Sequence, residues 1–184
     1  MQKAHGTRSE PRYNTTMITA LILTDRRDGM EGLAATLAAL VAGVAEGLVA
    51  DAVVLSLKDD PEVAAVAEGV GAAHVAADRR TAWSVGARLG RRDWLLCLEA
   101  GDVPLDGWIG AVAAYLAETR APALARARRV GWRRPGQALE ALLGAGEVRP
   151  GDLVHRALLT DEGLSRRVRP ARLDRRIRPP RRPG

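Results

Sequence analysis

The sequence predicts an α/β fold, a mostly parallel central sheet with helices on both faces. Three observations predict it. Short apolar runs alternate four times with segments of helical periodicity between residues 17 and 118. The connections between them are short, as in successive β-α-β crossovers. Polar clusters follow three of the apolar runs, where buried parallel strands would deliver them to one edge of the sheet.

Each element has its own signal. Met17 to Thr24 (MITALILT) reads as a buried strand ending in the turn-like cluster Asp25-Arg26-Arg27-Asp28-Gly29. Leu33, Leu37, Leu40, Val41 and Val44 then mark one face of a helix that Gly47 ends. Asp51 to Leu57 is a second strand, and Asp60-Pro61 supplies an N-cap and first-turn proline for a helix reaching Gly69. Ala72 to Ala76 is a third, short strand and Arg79 to Leu89 a helix. Asp93 to Leu98 (DWLLCL) is again a buried strand, and Pro104 to Glu118 a helix with Trp108, Val112, Tyr115 and Leu116 on one side. Beyond residue 120 the pattern loosens: Ala123 to Val130 reads as an edge strand, Gln137 to Leu143 as a short helix and Asp152 to Leu158 as a strand. The boundaries that follow are a disordered stretch at 1–15, one domain over 16–167, and an Arg/Pro-rich disordered tail over 168–184.

Composition excludes several classes. A chain of 184 residues that is 47% hydrophobic can bury a core and is not wholly disordered. One cysteine, Cys97, excludes an internal disulfide framework and a cysteine-rich zinc site, and His5, His74 and His155 are too far apart for a histidine metal motif. The best membrane-span candidate, Leu33 to Ala50, is mostly Ala and Gly and carries Thr36 and Glu46. Met1 to Thr16 lacks the apolar stretch of a signal peptide, so a cytoplasmic protein is expected. Charge is asymmetric: residues 1–119 carry a net −5 and residues 120–184 a net +11, giving the +6 of the whole. Of the 28 basic residues 26 are arginine, whose planar fork suits phosphate and carboxylate; genome composition bias accounts for arginines as well.

Phosphate-loop motifs are missing from the sequence. Gly69-Val70-Gly71 lacks a third glycine and lies between a helix and a strand, the reverse of a dinucleotide fingerprint, so it reads as a helix stop. Asp93 to Trp108 (DWLLCLEAGDVPLDGW) is the sharpest segment: a buried strand delivers Glu99 and Asp102 into a loop before Pro104 and Gly107-Trp108. This segment resembles the centre of the family 2 glycosyltransferases, of the glycosyltransferase A fold, in a short form with a degenerate acidic motif. There a strand is followed by D-A-D-D/S, a proline and G-W. Ile18 to Thr24, Asp51 to Asp60 and Ala82 to Gly90 (AWSVGARLG) resemble other landmarks of that family, and the likeness covers roughly residues 17 to 119.

The resemblance implies a single nucleotide-diphospho-sugar transferase-like domain. Asp25, with Asp59 or Asp60 after the second strand, would meet the nucleotide, and Arg79 and Arg80 would lie near the diphosphate. Glu99 and Asp102 would hold a divalent cation, Mg²⁺ or Mn²⁺, although Gly101 stands at the family's principal metal-binding aspartate. Asp161 or Glu162 would be the base that removes the acceptor hydroxyl proton. The residues alone leave other readings open: Asp102 as a cap for the Pro104 helix, Asp161 and Glu162 as acids opening an amphipathic helix, Arg79 and Arg80 as a solvated helix start. His155, Trp83, Trp94, Trp108 and Trp132 read as packing residues, and Cys97 as an inert buried thiol.

The expected function is therefore transfer of a sugar from a nucleotide-diphosphate donor to a saccharide or lipid-linked acceptor. The basic C-terminal end would touch anionic headgroups, each arginine contributing about 1 kcal/mol. The alternative is a degenerate member that binds a nucleotide or a partner without catalysis. Nucleic-acid binding ranks last: the nine arginines of residues 166–182 have no interleaved aromatics.

Overall fold

The computed structural model describes residues 17–25, 29–129 and 145–178. The chain runs β1 (Ile18–Thr24), α1 (Gly29–Ala45), β2 (Val49–Ser56), α2 (Pro61–Gly69), β3 (Ala73–Ala76), α3 (Ala82–Leu89) and β4 (Trp94–Glu99). It continues through β5 (Val103–Pro104), α4 (Trp108–Glu118), β6 (Leu124–Arg129), β7 (Asp152–His155), β8 (Leu159–Thr160), β9 (Gly163–Leu164) and β10 (Ala171–Arg178). Among these residues eight strands form one sheet in the order β3-β2-β1-β4-β7-β6-β10-β5, and β8 and β9 form a separate hairpin. Strands β1 to β4 are mutually parallel, β7 runs against both β4 and β6, and β10 is parallel to β6.

Apolar runs explain the centre of this sheet. Every residue of β1 is buried, and β4 is buried through Leu98, so both strands need cover on both faces. One face packs Leu33 and Leu40 of α1, Val63 and Ala67 of α2, and Trp108, Val112 and Leu116 of α4. The other packs Ala82, Trp83 and Ala87 of α3 with Leu158. The helix layer is tight: a Cβ on Gly43 of α1 would stand 2.7 Å from the Trp108 ring.

Several element boundaries differ from the sequence reading. β2 starts at Val49, because Gly47, with φ of +74°, ends α1 early enough to free Leu48 and Val49 for the core. The helix expected from Arg79 begins at Ala82, since the Thr81 backbone N–H closes a turn on the Asp78 carbonyl. The helix expected from Pro104 begins at Trp108. Val103 and Pro104 instead pair with β10 on the last strand of the sheet, where proline's missing N–H is tolerated, and Gly107 turns the chain at φ +78°.

Two corrections concern the second half. Ala123 to Val130, read as an edge strand, corresponds to β6, which lies inside the sheet between β7 and β10. The arginine-rich end, assigned to a disordered tail from residue 168, contributes β10, because Leu173 and Ile177 bury their side chains among Leu96, Trp108 and Ala127. Residues 1–16, the helix expected at Gln137 to Leu143, Trp132 and residues 179–184 lie outside the described residues.

Candidate functional site

The strand order reverses between β1 and β4: α1 and α2 carry the chain outward along one face, and α3 returns it across the other. In open α/β sheets the carboxyl ends flanking such a reversal bound a crevice. Registers of Thr24 with Ser56, Ser56 with Ala76 and Leu23 with Glu99 align the four carboxyl ends. The loops carrying Asp25, Asp59, Arg79 and Glu99 therefore leave the same edge.

Arg79 joins three of these loops. Its guanidinium lies 3.3 Å from the Asp25 carboxylate and 4.0 Å from that of Glu99, so it bridges the reversal between β1 and β4. The side chain of Arg79 is 58% exposed, against 28% for Asp25 and 23% for Glu99. Pairs this exposed add little stability, so their effect is to hold the guanidinium in place at the crevice. Arg80 is exposed beside it, and Asp59 is exposed after β2. Asp60 serves the helix instead, since its carboxylate accepts the Glu62 N–H at 3.0 Å and caps α2.

Glu99 to Asp102 forms a tight turn that the first turns of α1 clamp. Asp102 is fully buried, and its carboxylate accepts the Glu99 N–H at 2.8 Å. The Asp102 N–H returns a bond to the Glu99 carbonyl, also at 2.8 Å. The Thr36 hydroxyl accepts from the Gly101 N–H at 2.8 Å and donates to the Asp102 carbonyl at 3.0 Å. Gly32 offers its carbonyl to the same Gly101 N–H at 2.8 Å. Asp102 thus closes the turn from inside, and α4 begins after Gly107 with no side-chain cap. Gly101 has φ of +90°, a conformation that an aspartate adopts only under strain.

The residues present do not fit the expected divalent cation. Asp102 is sealed, Glu99 faces Arg79, and among the described residues no three Asp, Glu, His or Cys side chains gather where an ion would sit. Of the two residues expected to share a cation, Asp102 is turned into its own loop and Glu99 lies beside Arg79.

Asp161 and Glu162 lie elsewhere. They occupy the turn of the β8–β9 hairpin, where Gly163 at φ +119° opposes the expected helix. Asp161 pairs with Arg88 near the C-terminus of α3. That end of α3 leads to Gly90, which packs on Thr19 at the start of β1, the edge opposite Arg79. The structure brings Asp25, Arg79 and Glu99 together and leaves this acid pair apart from them.

Sequence reading missed a second charged cluster at the carboxyl edge. Arg126 donates to both oxygens of buried Asp152, at 2.6 and 2.8 Å, and the Arg149 N–H bonds the same carboxylate at 2.9 Å. Gly151 between them bonds the Cys97 carbonyl at 2.7 Å, which ties this turn to β4. Burial pushes the Asp152 carboxyl upward, and the Arg126 hydrogen bonds and charge and the Arg149 contact pull it back. An acid beginning an apolar run with an arginine 26 residues earlier has no local signature. His155, by contrast, is a packing residue: its ring meets Trp94 edge-on at 5.1 Å and accepts the Ala157 N–H.

The chain is similar in structure to solved glycosyltransferases. Against mannosyl-3-phosphoglycerate synthase from Rubrobacter xylanophilus the TM-score is 0.58 at 15% identity, covering 78% of this chain and 55% of that one. Against glucosyl-3-phosphoglycerate synthase from Mycobacterium tuberculosis, solved with Mn²⁺, uridine diphosphate and phosphoglyceric acid, it is 0.57 at 16%, covering 78% and 57%. Against S. aureus TarS 1-349 in complex with UDP-GlcNAc it is 0.54 at 13%, covering 79% and 47%. No family model and no curated protein matches the sequence. The likeness shows the fold, that of the glycosyltransferase A nucleotide-sugar transferases, and the chain spans about half the length of these neighbours. No helix among the described residues is long and apolar enough to cross a membrane.

Proposed function

We propose that this chain binds a nucleoside-diphosphate sugar along the carboxyl edge of β1 to β4 and transfers the sugar to a saccharide or lipid-linked acceptor. One observation carries the reading: Arg79 draws the loops after β1, β3 and β4 to the strand reversal, in a fold whose neighbours were solved with uridine nucleotides. Exposed Asp59 would accept hydrogen bonds from the nucleoside, and exposed Arg79 and Arg80 would meet the diphosphate. In the transfer the bond from the anomeric carbon to the diphosphate oxygen breaks and a bond to the acceptor oxygen forms. The acceptor proton passes to a base, and the diphosphate leaves with the electron pair. Arginines of the C-terminal segment would meet acceptor phosphate or the headgroups around it.

A second reading, donor binding without transfer, has its own support in the engagement of Asp161 by Arg88 at the opposite edge. Titration calorimetry of the full chain with UDP, GDP and their hexose-bearing forms tests the shared premise. At least one nucleotide is expected to bind, and binding to none defeats both readings. Release of free nucleotide on adding saccharide or lipid-linked saccharide acceptors then supports transfer, and its absence across them supports binding alone.

A further inference from the structure

We infer that this edge neutralises the donor diphosphate with arginine side chains and needs no divalent cation. The inference rests on the proposed donor binding and departs from the cation that the fold leads one to expect.

The turn after β4 is built in a way that withdraws its carboxylates. Recruiting Asp102 would expose a fully buried side chain and break the bond its carboxylate accepts from the Glu99 N–H. Gly101 offers no oxygen from a side chain, and its N–H is held by both Gly32 and Thr36. Glu99 remains, and a guanidinium already stands 4.0 Å from it. A cation entering there would meet like charge, and Glu99 would have to abandon Arg79 to receive it.

The opposite charge is supplied by the loop after β3. Arg79 comes from it with more than half of its side chain exposed and N–H donors to spare beyond its two carboxylate contacts. Arg80, the next residue, is exposed beside it. A diphosphate leaving group needs its growing charge balanced, and positioned arginines can do so through bidentate hydrogen bonds without an ion.

The test is UDP binding by titration calorimetry on the full chain, once after exhaustive dialysis against EDTA and once with excess Mn²⁺. The affinities are expected to agree within about twofold, whereas Arg79→Gln and Arg80→Gln each weaken binding by about tenfold in both buffers. Circular dichroism shows whether each variant is folded, and Arg79→Lys, which keeps the charge but loses the fork, should fall between wild type and Arg79→Gln. UDP binding that appears only with Mn²⁺ overturns the inference and leaves the donor reading standing. So does a chelated protein that binds UDP equally well with and without the two arginines. If UDP does not bind in either buffer, the same comparison is run with GDP, and failure of both nucleotides to bind removes the donor reading and this inference with it. As an independent readout, the free Mn²⁺ signal in electron paramagnetic resonance, measured in UDP alone, should not fall further when protein is added; a further fall counts against the inference.

Discussion

The two halves of the sheet solve the same problem with different material. Strands β1 to β4 are joined by adjacent helices and paired in one direction, and the central pair, β1 and β4, are apolar runs. Strands β7, β6, β10 and β5 change direction from neighbour to neighbour except where β10 follows β6, and two of them read LARARR and ARLDRRIR. In the first half β1 is buried throughout and β4 through Leu98; in the second, β7 buries Leu153 and Val154, while Leu124, Ala125, Ala127, Leu173 and Ile177 carry the core of β6 and β10 between arginines. The comparison teaches that the parallel half aligns the strand ends that bring Asp25, Arg79 and Glu99 together, while the mixed half is held in place by long-range pairing.

That contrast can be broken most directly at β10. Leu173→Ala is expected to destabilise the protein by about 2–4 kcal/mol in urea unfolding, as for a buried leucine; a solvated tail would lose almost nothing. A smaller loss, about 1–2 kcal/mol, is expected for Thr36→Val, which keeps the volume but removes the hydroxyl that donates to the Asp102 carbonyl and shares the Gly101 N–H with Gly32. Amide exchange at Gly101 should accelerate in that variant, and unchanged exchange would show that the Gly32 carbonyl, not the Thr36 hydroxyl, protects this amide. Cys97 gives the smallest effect. Burial, reinforced by the Asp152 charge, raises its thiol well above the ordinary value. The folded state keeps the proton while the unfolded chain ionises, so stability present below the ordinary thiol pKa is lost as pH climbs past it. The loss should be about 1 kcal/mol over the first full unit above that value, and should vanish in Cys97→Ala.

Legibility followed the same division. MITALILT and DWLLCL announce buried strands because nothing else suits such runs between turn signals, and Asp60-Pro61 announces its helix by capping chemistry alone. ARLDRRIR does not announce itself, since two aliphatic side chains four residues apart among arginines look like a solvated segment until α4 and β6 provide a wall. Proximity of Asp25, Arg79 and Glu99 was readable from the rule that parallel strands end together. The inward fold of Asp102 was not, because it depends on a threonine 66 residues earlier in the chain. Asp161 and Glu162 resemble a helix start for want of any local sign that Gly163 would turn the chain back.

The position of β10 has a consequence for how the molecule is made. It is hydrogen-bonded between β6 and β5, a strand whose two residues precede α4. During translation, α4 and β6 leave the ribosome with their shared apolar wall open, and it stays open until Ile177 has emerged. A nascent chain would hold its parallel half early and wait for this late, distant pairing, a step that closure over many residues makes slow.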